Sequence, residues 1–445
     1  MLRVLSNRTY RHLFAAQVVA LAGTGLATVA LGLLAWDLAE SDAGQVLGTA
    51  LAIKMVAYVC VAPVAEALGE RIPRRTLLVA LDVTRAVVAL ALPFVSAVWQ
   101  IYVLIFLLQA ASAGFTPTFQ ATIPDVLPDE EDYTKALSLS RMAYDLESLA
   151  SPMLAAALLT VVGFPVLFGG TVLGFIASAC LVLSVALPRR ERKPERSILG
   201  RSTRGLRIYL ATPRLRALLA LSFALSAGGA VVIVNTVVLV RQDLGLTDSA
   251  VALTLGAYGA GSLLAALLLP SLLKDLGDRP VMLTGGVLLA TTMLGLGIAA
   301  SLSGLTWFWL LMVWFLAGIG SAMMLTPSGR LLRRSGHSED RSALFAAQFA
   351  LSHAGWLVTY PLAGWLQSAA GSVTSMLVLG CLAAIGLGAA WLLWPKPDPI
   401  AIPHRHDDLP PDHPHRTTGV EHVHPFVIDD LHRHWPAADH SPRLP

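Results

Sequence analysis

Runs of about twenty apolar residues recur along this chain from Leu13 to Trp394, separated by short polar turns, and no other feature limits its fold so strongly. A bilayer's hydrocarbon core is about 30 Å thick and takes about 20 helical residues to cross. Backbone N–H and C=O groups find no water there, so each run forms a helix or joins a closed barrel, and the run lengths select helices. Spans are expected at Leu13 to Trp36, Val46 to Ala67, Thr76 to Val95, Trp99 to Ala121, Leu137 to Val162 and Pro165 to Leu187. Six more follow at Leu215 to Val240, Val251 to Leu273, Val281 to Ser301, Leu305 to Thr326, Leu344 to Ala369 and Val373 to Trp394. With 55% of residues apolar, 14% charged and a mean hydropathy of +0.65, 445 residues do not make a water-soluble globule.

The expected architecture is therefore an all-α membrane protein of twelve transmembrane helices in two six-helix halves. Residues 1–187 form the N-terminal bundle, 188–214 a basic cytoplasmic linker, 215–395 the C-terminal bundle and 396–445 a His-rich tail without folding signals, expected to be disordered. Charge orients the bundle. If Met1 is cytoplasmic, Arg3, Arg8, Arg11, Arg71, Arg74, Arg75, the basic run from Arg189 to Arg216, Lys274, Arg279, Arg330, Arg333, Arg334 and Arg341 all fall inside, against Arg241 outside. Both termini are expected in the cytoplasm of a bacterial-type inner (plasma) membrane. The first run is too long for a cleaved signal and no small-residue cleavage site follows it. Cys60, Cys180 and Cys381 are far apart and read as packing residues. The linker's arginines lack aromatic interleaving; an anionic inner leaflet attracts them more simply than a nucleic acid.

Ionisable groups at membrane depth mark pathways or pairs. Here they are few: Lys54, Asp82, Arg85, Arg141, Asp145, Glu147 and His353, with Asn235, Tyr144 and Gln348 as polar companions. Asp82/Arg85 and Arg141/Asp145 stand at helical spacings that allow local ion pairs. A weak internal repeat relates Ser151-Pro152 to Tyr360-Pro361; aligning the prolines sets His353 opposite Tyr144, next to the equivalent of Asp145. Asp145, Glu147 and His353 are thus the candidates for cation contact and proton exchange, with hydrogen bonding between helices as the alternative for His353. No Walker-type stretch is present, so ATP is not the direct energy source. No nucleophile arrangement points to an enzyme.

The tail carries four His-x-His pairs: His404/His406, His413/His415, His422/His424 and His432/His434. Nine of the chain's twelve histidines lie there, among aspartates and prolines. Neutral imidazole suits nickel, zinc, cobalt and copper, so the tail is expected to bind a transition metal as cargo or regulator, no resident cofactor being required.

The chain resembles the major facilitator superfamily over about residues 10 to 395. After the second span, Glu70, Arg74 and Arg75 match the family's signature loop, with Arg71 beside them, while Glu66 and Pro73 stand where glycines are usual. Asp275 and Arg279 stand at the equivalent place in the second half. Ser151-Pro152 with Ala155-Ala156 is similar to the antiporter motif of span five; the span-four arginine of drug-proton antiporters is replaced by Ala110. Together with the tail, this resemblance implies a monomeric nickel-resistance type exporter of divalent metal ions, driven by proton antiport through alternating access. A proton-driven multidrug exporter and a transporter-like metal sensor are the other readings.

Overall fold

The computed structural model describes residues 2–39, 43–69, 72–188, 198–396, 398, 401–405 and 421–436. Glu70, Arg71, His406, His413 and His415 lie outside them. The first half is built from α1 (Arg8–Ala39), α2 (Ala43–Gly69), α3 (Arg74–Ala91), α4 (Val98–Val126), α5 (Glu130–Leu159) and α6 (Pro165–Leu183). A linker helix, α7 (Ile198–Ala211), leads into α8 (Pro213–Ala230). That span continues through two π-helical stretches, Val231–Asn235 and Leu239–Asp243, on either side of the single turn α9 (Thr236–Val238). Then come α10 (Asp248–Leu276), α11 (Asp278–Ser303), α12 (Trp307–Leu325), the short α13 (Ser328–Arg334) and α14 (Arg341–Leu393).

The last helix holds two of the expected spans. Gly371, at φ +81° and ψ 173°, reverses the chain between its limbs, in an essentially glycine-only region that costs a residue with a Cβ about 1–3 kcal/mol. With α8 and its π-helical continuation counted as one crossing, the twelve expected spans each have their helix. Among the described residues, nine segments are long and apolar enough to cross a membrane by length and composition, α14 counting once. α5, which carries Arg141, Asp145 and Glu147, is not among them. Large apolar side chains such as Val87, Leu173, Leu268 and Ile385 stand exposed on the flanks, the surface that hydrocarbon covers.

Within the first half, α1 packs on α5 and α6, and α4 on α2 and α3; in the second, α14 packs on α8 and α11, and α12 on α10 and α11. Hydrocarbon gives no hydrophobic drive between spans, so helices adhere where small residues let backbones meet. A Cβ on Gly261 of α10 would lie 1.9 Å from the Phe315 carbonyl oxygen of α12, and one on Gly318 would lie 2.0 Å from that of Tyr258. The halves meet along α2–α14, α4–α14 and α5–α10.

Two sequence expectations change here. The linker is not simply a charged strand spread on lipid: Arg204 is buried, and its Nε and Nη2 donate to both oxygens of Asp340 at 2.5 and 2.8 Å. Gly205 lies so close to the Ala343 carbonyl that a Cβ would come within 2.1 Å. The tail is not disordered throughout. β1 (Ala401–Arg405) pairs antiparallel with β2 (Glu421–Pro425), and Phe426, Val427 and Ile428 then bury themselves beside the second-half core. Three consecutive apolar residues among the histidines supply the folding signal that the tail's polar composition hid.

Candidate functional site between the halves

Asp145, in the middle of α5, pairs with Arg141 one turn earlier at 2.6 Å. The Ser262 hydroxyl, in the middle of α10, donates to Asp145 at 2.6 Å and accepts from Arg141 Nε at 3.0 Å. A carboxylate, a guanidinium and a hydroxyl thus close a ring across the two halves at membrane depth. The ring supplies each charge with a partner where an unpaired one is costly.

A second cluster lies where α2 faces α14. Tyr58 sits 4.8 Å from Phe349 and 4.8 Å, edge-on, from His353. The Tyr58 hydroxyl donates to Gln109 of α4 at 2.8 Å, and the Lys54 ammonium lies 5.6 Å from the Tyr58 ring centre. His353 Nδ1 is 2.7 Å from the Phe349 carbonyl; a carbonyl only accepts, so Nδ1 carries the hydrogen. Glu147 accepts from Ser151 at 3.4 Å and attracts Lys54 through space. Further along α14, the Trp356 and Tyr360 ring centres lie 4.9 Å apart, the planes tilted at 43°. Aromatic faces, one cation and one anion here line the seam between halves, the chemistry that holds an amphipathic molecule.

Asp82 and Arg85 form the expected local pair, but inside the first half. Asp82 accepts from Ser178 of α6 at 2.8 Å, and the guanidinium of Arg85 lies 4.0 Å from the Phe115 ring centre and 4.5 Å from that of Phe175. Asn235 sits in the first π-helical stretch, fully buried, and donates to Ser375 at 2.7 Å while its Oδ1 has no partner among the described residues. Both belong to the packing of one half and not to the seam. Asp145, Glu147 and His353 are not brought onto one point, and no group of three or more His, Cys, Asp or Glu placed to hold a metal occurs among the described residues.

The tail histidines separate into three sets. His404, His422 and His424 stand in β1 and β2, and His406, His413 and His415 lie outside the described residues. The His432/His434 pair departs from the expectation that it binds a metal as a unit. His432 is buried and its Nδ1 is 3.0 Å from Asp429, whereas His434, two residues on, is exposed in an irregular stretch. Two imidazoles share an ion when the backbone between them sets both on one side, as an extended strand does; here one ring is turned into the protein and the other to the surface. His434 therefore belongs to no metal-holding group among the described residues.

At the basic end of the bundle, the halves are tied by ions. Asp125, closing α4, accepts from Arg74 of the first half and Arg341 of the second. Arg330 reaches Glu130 at 2.6 Å, the Thr134 hydroxyl at 2.6 Å and Asp278 at 2.8 Å; Arg333 donates to the Pro128 carbonyl. Of the predicted loop residues, Arg74 takes part directly, while Arg75 caps the Leu183 carbonyl. Asp275 is exposed, and Arg279 buries an Nε with no hydrogen-bond partner among the described residues; Asp278, between them, carries the pairing. Ser262, Tyr58, Gln109 and Asp125 had no signal in the sequence: each is an ordinary residue made functional by a helix far away in the chain.

A twelve-helix bundle in two halves, with charges in its seam and ion pairs joining the halves at one end, has the arrangement of a secondary transporter. The family model of the major facilitator superfamily matches residues 13–238 and 218–434, and the chain belongs to that superfamily. It is 26% identical over 153 residues to macrolide efflux protein A of Enterococcus faecalis, covering 32% of this chain and 47% of that protein. It is 24% identical over 338 residues to the uncharacterized MFS-type transporter YfiS of Bacillus subtilis, covering 72% and 78%. The fold is that of a bacterial homologue of the iron transporter ferroportin in an outward-facing state (TM-score 0.73, 14% identity, 86% of this chain and 99% of that one). It is also that of the human organic anion transporter MFSD10 (TM-score 0.70, 13% identity, 86% and 99%).

Proposed function

We propose that this protein is a proton-driven exporter of bulky amphipathic organic molecules, working by alternating access in a bacterial-type inner membrane with both termini in the cytoplasm. The observation that carries the cargo class is the aromatic and charged seam of Tyr58, Phe349, His353, Lys54 and Glu147. The macrolide efflux relatives support the same class, although the first of them is matched over only 47% of its length. Export of nickel, cobalt or zinc, which the tail's composition suggests, draws no support from the seam: His353 is tied to a carbonyl and two rings, and Asp145 to Arg141 and Ser262.

Proton coupling is assigned to the Arg141–Asp145–Ser262 ring. A proton on Asp145 cancels its charge attraction to Arg141 and weakens its acceptance from Ser262, loosening α5 from α10. Proton uptake from the outer side and separation of the halves are thereby linked. The cargo assignment is tested in inside-out vesicles. Acid-driven accumulation of a macrolide is expected, with Tyr58→Ala lowering it and nickel neither moving nor competing; nickel flux without macrolide flux overturns the cargo class. Asp145→Asn is expected to abolish gradient-driven uptake while exchange of labelled for unlabelled cargo continues. Equal loss of both modes assigns Asp145 to packing and not to coupling.

A further inference from the structure

Lys54 stands in the middle of α2, one helical turn before Tyr58 and so on the same face of the helix. Its ammonium lies 5.6 Å from the Tyr58 ring centre and makes no hydrogen bond or ion pair among the described residues. Lys54 is half-buried, and its nitrogen borders open space instead of being sealed among side chains. A charged side chain at membrane depth pairs, faces a cavity or marks a pathway. With no pair to make, this one faces the seam.

The neighbouring charges are committed elsewhere. Arg141 and Asp145 close their ring with Ser262, and Asp82 and Arg85 pair inside the first half. Glu147 is the exception on the acidic side. Its Oε1 accepts from Ser151 at a long 3.4 Å and is pressed by α1, where a Cβ on Gly25 would lie 2.7 Å from it. Its other oxygen has no hydrogen bond among the described residues and, like the Lys54 nitrogen, borders open space. The two charges attract one another through space without closing into an ion pair. The helices thus hold one open cation and one open anion apart, beside the rings of Tyr58, Phe349, Trp356 and Tyr360.

We propose that the seam prefers an amphipathic molecule that carries both an amine and a carboxylate, the carboxylate meeting Lys54 and the ammonium meeting Glu147. The inference rests on the reading of the seam as the cargo path. Such a molecule sets four charges in alternating order, so that each has an opposite neighbour, while the rings take its apolar part. A molecule with an amine alone is still held through Glu147, but it leaves Lys54 facing a like charge. One with a carboxylate alone does the reverse. Charge-assisted hydrogen bonds are the strong ones, and where water is scarce a charged group left without its bond loses most. Lys54 and Glu147 together are therefore the specificity-determining residues among amphipathic cargoes.

The test uses the full chain in lipid nanodiscs and four forms of one fluorescent amphiphile, with empty nanodiscs as the blank. Nε-dansyl-lysine carries both groups, its methyl ester the amine alone, its Nα-acetyl derivative the carboxylate alone, and the Nα-acetyl methyl ester neither. The first is expected to bind at least about 10-fold more tightly than the ester or the acetyl form, the scale of one hydrogen bond to a charged group. Lys54→Met should bring the affinity of Nε-dansyl-lysine down to that of its ester, and Glu147→Gln down to that of the acetyl form. The form with neither group should bind the native chain and both variants alike, which shows that the variants are folded. Equal binding of all four forms leaves the seam as a cargo site and overturns the charge pairing alone. A Lys54→Met variant that weakens all four equally assigns Lys54 to packing and likewise overturns it. Binding of none of them overturns the cargo reading together with this inference.

Discussion

His337 and Asp429 meet at 3.3 Å where the loop before α14 faces the docked tail, and the contact sets a pH window. The hydrogen bond to Asp429 raises the His337 pKa above its ordinary value, against the smaller effect of burial, with Asp340 and Glu339 adding attraction. A raised histidine pKa stabilises the folded contact fully below the unfolded value and loses that contribution as pH rises through the folded one. For Asp429, burial disfavours the charge, but hydrogen bonds from His337 and His432 outweigh it and hold the carboxyl well below the usual carboxylate range. Its contribution is present at neutral pH and fades only on strong acidification. Tail docking is therefore expected to weaken as pH rises above the ordinary histidine value. Protease cleavage after Arg433 should become faster as pH rises there, and His337→Ala should flatten that dependence. A pH-independent rate in the native chain would contradict this account.

Among elements, the α10–α12 contact depends on the smallest side chain. Gly261→Ala places a Cβ 1.9 Å from the Phe315 oxygen, a backbone atom that cannot swing aside. Forcing these helices apart is expected to cost about 1–3 kcal/mol. Gly256→Ala in the same helix, with nothing within 4 Å of the new atom, should leave stability unchanged or slightly improved. Thermal unfolding in detergent compares the two, and equal midpoints would refute the close-packing argument. Helices of this kind were the most legible part of the sequence, because apolar run length is a local property. The expected span from Val46 to Ala67 is α2, and that from Val281 to Ser301 is α11, extended by a few residues at each end. The site was legible only where partners are local: Asp82 with Arg85 and Arg141 with Asp145 follow from helical spacing. Ser262 and Tyr58 were hidden because nothing near them in the chain records which helix they face. The π-helical stretches around Asn235 were hidden for a similar reason, since their apolar residues fit an unbroken helix equally well. In the tail, reading histidines and prolines as uniformly solvated overlooked Phe426–Ile428, and with it the different surroundings of His432 and His434.

For the whole molecule, the decisive contact is Asp125. One carboxylate accepts from a guanidinium of each half, so closing the basic end brings two positive charges to a shared negative one. Asp125→Ala leaves Arg74 and Arg341 facing one another, and the closed state is expected to lose population to the one open at that end. Spin labels on the ends of α4 and α13 should show a longer distance in Asp125→Ala than in the native chain. An unchanged distance would place the energy of closure in Arg330 and its partners instead.

The docked tail also bears on how the protein is made. Arg214 is almost completely buried, and among the described residues it meets Asp398 and the ring of Trp435, both beyond the last span. Throughout synthesis and insertion of the spans, these partners have not yet left the ribosome. The second half therefore waits in the membrane with Arg214 lacking two of its partners, and its base is completed only when the tail arrives. A chain cut short before Asp398 lacks that completion although every span is present, which gives a quality-control protease a chemical means of telling a finished copy from an interrupted one.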